Sequence, residues 1–203
     1  MPATPLTPLP YGAKPVPGHT RWHPEIPAAA EVVSGGSVRM ECHGPWGARE
    51  ALLCGPLAVV GAEPGDVIVV DVLAVGRGGD VTVPGAHPGV IGCAPGDGGP
   101  RIASDGLLQG GVRPGLGAYL PVPARAVCGA DRAGEVVSCA DTRLVAGSRV
   151  VLPVQVRSAK LSVGDLHFGD DCTPLDGWID LRVNLTKRGV ERFHVTGPLL
   201  MPA

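Results

Sequence analysis

Glycine and proline interrupt this chain throughout: 31 glycines and 22 prolines stand among 203 residues, about a quarter of the sequence. A helix interior tolerates neither well, glycine costing about 1 kcal/mol and proline about 3 kcal/mol relative to alanine. Few uninterrupted windows of helical length remain. A chain too rich in breakers to fold is the other reading, and the rest of the composition opposes it, because 44% of the residues are hydrophobic and only 18% are charged. Disordered segments show the reverse balance. The expectation is a mainly β globule of short strands joined by long Gly/Pro-rich loops, with little helix.

Charge narrows the partners. Seventeen Lys and Arg against nineteen Asp and Glu leave a formal charge of -2, and the basic residues are scattered singly apart from Lys187-Arg188. No basic stripe is available to neutralise phosphates, so nucleic acid is not an expected partner. The longest apolar run, Val67–Val75, is broken by Asp71 and is far shorter than the roughly 20 residues that span a bilayer. The start of the chain has neither a charged n-region nor an apolar h-region. These features predict a cytoplasmic protein without membrane contact. Cys42, Cys54, Cys93, Cys128, Cys139 and Cys172 include no C-x-x-C pair, and a chain of this size needs no staples, so buried free thiols are expected rather than disulfides.

Along the chain, residues 1–17 carry six prolines and no apolar period, which predicts an extended arm ahead of a single β-rich domain over 18–203. Ser37–Cys42 alternates, with Val38, Met40 and Cys42 on one face. Gly55–Gly61 and Asp66–Val75 follow, the second a β-branched run entered through the turn signal Glu63-Pro64-Gly65-Asp66. Residues 76–117 crowd Gly and Pro together and predict loops near a ligand-facing edge. Ala118–Val122 and Glu135–Cys139 are short strand candidates. Arg149–Arg157 alternates again, and Pro153 marks it as an edge strand or a bulge. Trp178–Leu185 has the clearest period of two: Ile179, Leu181, Val183 and Leu185 on one face, Trp178, Asp180, Arg182 and Asn184 on the other.

Three segments gather residues capable of chemistry. Leu161–Asp171 (LSVGDLHFGDD) delivers Asp165, His167, Asp170 and Asp171 within a few positions. In an extended chain residues two apart share a face, which pairs Asp165 with His167 as metal ligands or as a site for polarised water; an Asp-rich surface turn has the same local pattern. Gly85–Gly96 (GAHPGVIGCAPG) holds His87 before a proline and Cys93 among glycines, and its local reading is a tight turn with a capped histidine and a buried thiol. His19–Pro27 together with Glu41-Cys42-His43 offers three imidazoles and two carboxylates, or a Trp22 anchor among solvated charges. There is no G-x-S-x-G, P-loop, dinucleotide fingerprint or H-E-x-x-H.

Taken in order, RWHPEIP (Arg21–Pro27), VRMECHG (Val38–Gly44), GAEPGDVIVVDVL (Gly61–Leu73), HPGVIGCAPG (His87–Gly96), LSVGDLHF (Leu161–Phe168) and GWIDLRVNL (Gly177–Leu185) resemble successive blocks of the acetamidase/formamidase family. The resemblance implies a β-sandwich or barrel-like fold, hydrolysis of short-chain amides to a carboxylate and ammonia, and assembly as a homo-oligomer, a dimer or higher. In the family the block around Asp165 and His167 continues to a Gln and a Glu that have no counterpart here, and a G-G-N-x-D signature falls where this chain has Val137–Asp141, matching at Asp141.

Amide hydrolysis needs an activated nucleophile, oxyanion stabilisation and an acid for the leaving ammonia. The resemblance implies that Asp141, Asp165 and His167, with His43 or His87, hold a divalent metal, zinc or calcium, whose bound water becomes the nucleophile. Glu41 is then a candidate general base. In the covalent alternative a thiolate, Cys93 or Cys139, attacks. A non-catalytic relative that keeps the scaffold for binding or assembly is the reading from another class.

Overall fold

The structure is a computed structural model, and it describes residues 24, 26–44, 53–94, 96, 101–102, 108–109, 144–169, 175–195 and 197–203. The predicted arm, the strand candidates at 118–122 and 135–139, Trp22, Asp141, Asp170, Asp171, Cys128, Cys139 and Cys172 lie outside the described residues. Strands dominate: β1 (Ala30–Val32), β2 (Gly36–Cys42), β3 (Leu53–Val59), β4 (Val67–Arg77), β5 (Val81–Thr82), β6 (His87–Cys93), β7 (Arg101–Ile102), β8 (Leu108–Gln109), β9 (Arg149–Pro153), β10 (Leu161–His167), β11 (Gly177–Thr186) and β12 (Leu199–Met201). Among the described residues the one helix is α1 (Gly189–Phe193), and none is long and apolar enough to cross a membrane.

Two sheets make the body. A four-stranded sheet runs β1-β3-β10-β6, and a six-stranded sheet contains β12-β9-β4-β11-β2 with β5 paired to β4. One hydrophobic cluster joins them: Val32, Leu57, Ile91, Leu161, Val163 and Leu166 from the smaller sheet meet Met40, Ile68, Val70, Leu152, Ile179 and Leu181 from the larger. Two sheets facing across a shared core form a sandwich, as the composition and the family resemblance lead one to expect.

The strongest sequence signals fold as read. β11 presents Ile179, Leu181 and Val183 to the core, while Asp180 on its other face takes both Nε and Nη2 of Arg39. Trp178, on that outer face, is nevertheless buried, because the Arg39 guanidinium stacks 3.9 Å above its ring. At Glu63-Pro64-Gly65-Asp66 the Asp66 amide donates to the Glu63 carbonyl at 3.0 Å, and Gly65 supplies the positive φ of 91° that a turn with proline in its second position asks of its third. Asp66 then anchors the chain on both sides. Its carboxylate accepts from the amides of Glu63 and Arg188 and from Lys187 Nζ.

Two expectations are corrected. Residues 87–93 are not a tight turn but a strand, β6, buried along its whole length; its glycines serve close strand packing rather than reversal. β9 is not an edge, since it pairs with β12 on one side and β4 on the other. Proline is tolerated there because Pro153 is the strand's last residue, where a missing N–H interrupts no ladder.

Candidate active site

The site grows from the pairing of β10 with β6. These strands run antiparallel, with Gly164 opposite Val90, Leu166 opposite Pro88 and His167 opposite His87. The register therefore sets two imidazoles side by side, and their rings meet edge to face with centroids 5.2 Å apart. Gly89 falls opposite Asp165 between the first two pairs. His87, Asp165 and His167 are 2%, 2% and 0% exposed, although ionisable side chains are seldom buried without a role or a partner.

Asp165 meets His167, but not by the alternation of an extended strand. Its φ is +61°, a left-handed conformation that aspartate adopts more readily than most residues. This local turn within β10 brings Asp165 Oδ2 to 3.7 Å from His167 Nε2. Both groups lie against the backbone of Gly89. A Cβ there would stand 2.8 Å from Asp165 Oδ2, 2.9 Å from the Asp165 carbonyl and 2.9 Å from His167 Nε2, distances that real Cβ atoms do not sustain. Gly89 is thus part of the site's floor. His87 is held at its other nitrogen, with Nδ1 3.3 Å from the Gly85 carbonyl.

The neighbouring strands frame the cluster. Ser162 is buried earlier on β10, close enough to β3 that a Cβ on Gly55 would come within 3.1 Å of its Oγ. Phe168, directly after His167, packs on Gly177, whose added Cβ would strike the ring at 2.5 Å. The Arg77 guanidinium lies 5.4 Å over the same ring. Leu175 closes the segment back onto β10, its amide donating to the Leu166 carbonyl at 2.9 Å.

Residues 10–83 and 121–203 match the acetamidase/formamidase family. The chain belongs to that family. It is 32% identical to the acetamidase of Mycolicibacterium smegmatis over 92% of this chain and 70% of that protein, and 29% identical to the formamidase of Methylophilus methylotrophus over 91% and 68%. In fold it resembles the gamma lactamase from Delftia acidovorans, with a TM-score of 0.62 and 24% identity over 92% of this chain and 68% of the other. An acetamidase from Yersinia enterocolitica gives a TM-score of 0.60 at 16% identity, covering 95% and 73%. The stretch 84–120, which holds His87, Gly89 and Cys93, falls between the two matched segments.

Measured against this acetamidase/formamidase fold, the expected site residues divide. Asp165, His167 and His87 come together. Glu41 and His43 are exposed at the end of β2, and Glu41 pairs across to Trp178 of β11 rather than to β10 or β6. Cys93 belongs to the core between the sheets, and burial pushes its thiol far above the ordinary range, which works against a thiolate at neutral pH. Asp141 lies outside the described residues. Gly89 and Ser162 are additions that local sequence does not single out; the signal for Gly89 is its register against Asp165, which only the pairing of β6 with β10 reveals.

A metal has a limited fit here. Two imidazoles and a carboxylate are suitable donors for zinc, yet among the described residues no three His, Cys, Asp or Glu side chains form a group that could hold an ion. His87, Asp165 and His167 by themselves therefore do not make a metal centre.

Proposed function

We propose that this acetamidase/formamidase family member hydrolyses the C–N bond of short linear amides, of the formamide and acetamide class, and releases ammonia. The observation that carries the reading is the buried Asp165–His167–His87 cluster on the floor made by Gly89. The names of the relatives, acetamidase and formamidase, supply the substrate class.

The chemistry asks for a base to take a proton from water and an acid to return one to the departing nitrogen. An imidazole performs both tasks in turn. We assign this role to His167: Asp165 Oδ2 lies 3.7 Å from its Nε2, near enough to balance the charge it would gain, and the His87 and His167 rings meet edge to face. The depth of the cluster excludes bulk water, which strengthens each electrostatic contact made to the developing oxyanion. Burial of this degree favours a small substrate.

A divalent ion, zinc or calcium, is a further part of the proposal. It would polarise the amide carbonyl and bound water. Because His87, Asp165 and His167 do not form an ion-holding group by themselves, any of them that served as donors would have to be joined by groups outside the described residues, Asp141 being the expected one. Homo-oligomeric assembly, a dimer or higher, is proposed on the resemblance and on Leu199 and Met201, half exposed on the edge strand β12. A non-catalytic scaffold is not favoured, because the relatives that the chain matches are an acetamidase and a formamidase.

Ammonia release from formamide and acetamide tests the reading, measured as purified, after chelator treatment, and with zinc or calcium restored. Release above the no-enzyme rate supports amide hydrolysis, and its loss and recovery with the ion supports the metal. Absence of release in every condition refutes the proposal.

A further inference from the structure

β10 is paired on both sides only along its first half. Its pairing with β3 ends at Gly164, opposite Leu53, and beyond that point Leu166 and His167 pair with β6 alone, opposite Pro88 and His87. Proline has no N–H to give to that ladder. Asp165, between the two halves, carries the left-handed φ of +61°, and such a conformation persists only where the surrounding structure holds the chain on either side of it. His167 is the last residue of the strand, and a strand end paired on one side opens readily. The imidazole keeps its place only if this end is held by something else.

The six-stranded sheet supplies that hold through Phe168. The ring of Phe168 lies against the backbone of Gly177, the first residue of β11, where a Cβ would stand 2.5 Å from Cζ and 3.2 Å from Cε2. The guanidinium of Arg77, the last residue of β4, lies 5.4 Å over the same ring, within the range of a cation–π contact. The Cβ added to Gly177 would also come within 2.6 Å of the Gly76 carbonyl, so β4 and β11 together close the seat of the ring. Phe168 packs on the shared core as well. One residue beyond His167, the chain is thus fastened to the opposite sheet.

We propose that Phe168 is a positioning residue for His167: held by Gly177 at its edge and by Arg77 over its face, its ring fixes the end of β10 and with it the direction in which the His167 imidazole meets Asp165 and His87. It acts through the peptide that it shares with His167. The inference rests on the reading of His167 as the acid–base group of amide hydrolysis, where a misplacement of about 1 Å costs about 10²-fold in rate. The guanidinium needs an aromatic face, so tyrosine can replace Phe168 and alanine cannot.

The test follows two readouts in the full chain: kcat and KM for ammonia release from acetamide, and the imidazole resonances of His167 in proton–nitrogen correlation spectra, assigned with His167→Gln. Phe168→Ala is expected to lower kcat by about 10- to 10²-fold with KM within a few-fold, and to shift or broaden the His167 resonances, while Phe168→Tyr keeps both at wild-type values. Gly177→Ala, which pushes on the ring from the other sheet, moves the same resonances. Ile68→Val, a core change on β4, lowers the melting temperature and leaves kcat and the resonances in place, which separates positioning from loss of stability. Should Phe168→Ala fail to fold, Arg77→Met at the exposed end of β4 decides, with a smaller shift in the same resonances. Should the wild type release no ammonia, the amide-hydrolase reading fails and the resonances alone judge whether Phe168 holds His167. Unchanged His167 resonances in Phe168→Ala, or a Phe168→Tyr variant as impaired as Phe168→Ala, overturns the proposal.

Discussion

Asp165 Oδ2 stands 3.7 Å from His167 Nε2 in a strand whose alternation is broken by the positive φ of Asp165 itself. The pair exists because one residue leaves the extended conformation. If His167 carries the proton in amide hydrolysis, removal of its imidazole costs what general acid–base catalysis supplies. His167→Gln is expected to lower kcat for ammonia release by about 10²- to 10⁴-fold, measured at saturating acetamide, with KM changed far less.

Gly89 is expected to accept no side chain. The added methyl of Gly89→Ala would fall within 2.9 Å of the Asp165 carbonyl and His167 Nε2 and within 2.8 Å of Asp165 Oδ2. The strands must part or both functional groups must move. Overpacking of this kind costs about 1–3 kcal/mol, and denaturant titration should show it together with a loss of kcat. A variant as stable and as active as the wild type would mean that the strands adjust freely.

Cys93 separates the two chemistries anticipated for this chain. Its thiol faces the core and burial holds it in the protonated form. Cys93→Ala should therefore keep the rate of ammonia release within a few-fold while lowering stability by about 1 kcal/mol through the lost packing. Disappearance of activity without unfolding would instead identify a cysteine nucleophile.

Asp66 sets an acid limit on the fold. Burial acts to raise its pKa, but Lys187 and the amides of Arg188 and Glu63 outweigh burial and hold the carboxyl below its ordinary value. In the unfolded chain it protonates near pH 3.9. The stability it contributes is thus complete above about pH 4–5 and is lost as pH falls through the lower folded-state value. Chemical denaturation between pH 3 and 7 should show this slope, and Asp66→Asn should flatten it while lowering stability at pH 7 by about 1–3 kcal/mol.

Where periodicity is local and unbroken, the sequence reveals its folded form. β2, β4 and β11 follow from alternation and β-branched content, and the turn before β4 follows from Pro64 and Gly65. What local pattern cannot carry is pairing. Residues 87–93 look like a turn because glycine is read as punctuation, yet β6 is buried on every side and needs small residues to lie against β10. Pro153 looks like an edge marker, but position within the strand decides its effect. The proximity of Asp165 and His167 is legible from their spacing, although that spacing implies an extended backbone and Asp165 has a positive φ instead. Gly89 becomes visible only through its register partner.

The central claim is that Asp165 and His167 act as a unit in hydrolysing a small amide. Its most direct test is the rate of ammonia release from acetamide by the wild-type chain and by Asp165→Asn, a substitution that preserves side-chain shape and tolerates the left-handed backbone. The account predicts release by the wild type and a fall of at least about 10²-fold in kcat for the variant at unchanged melting temperature. Equal rates for the two proteins, or no release by the wild type with or without zinc or calcium, would contradict it.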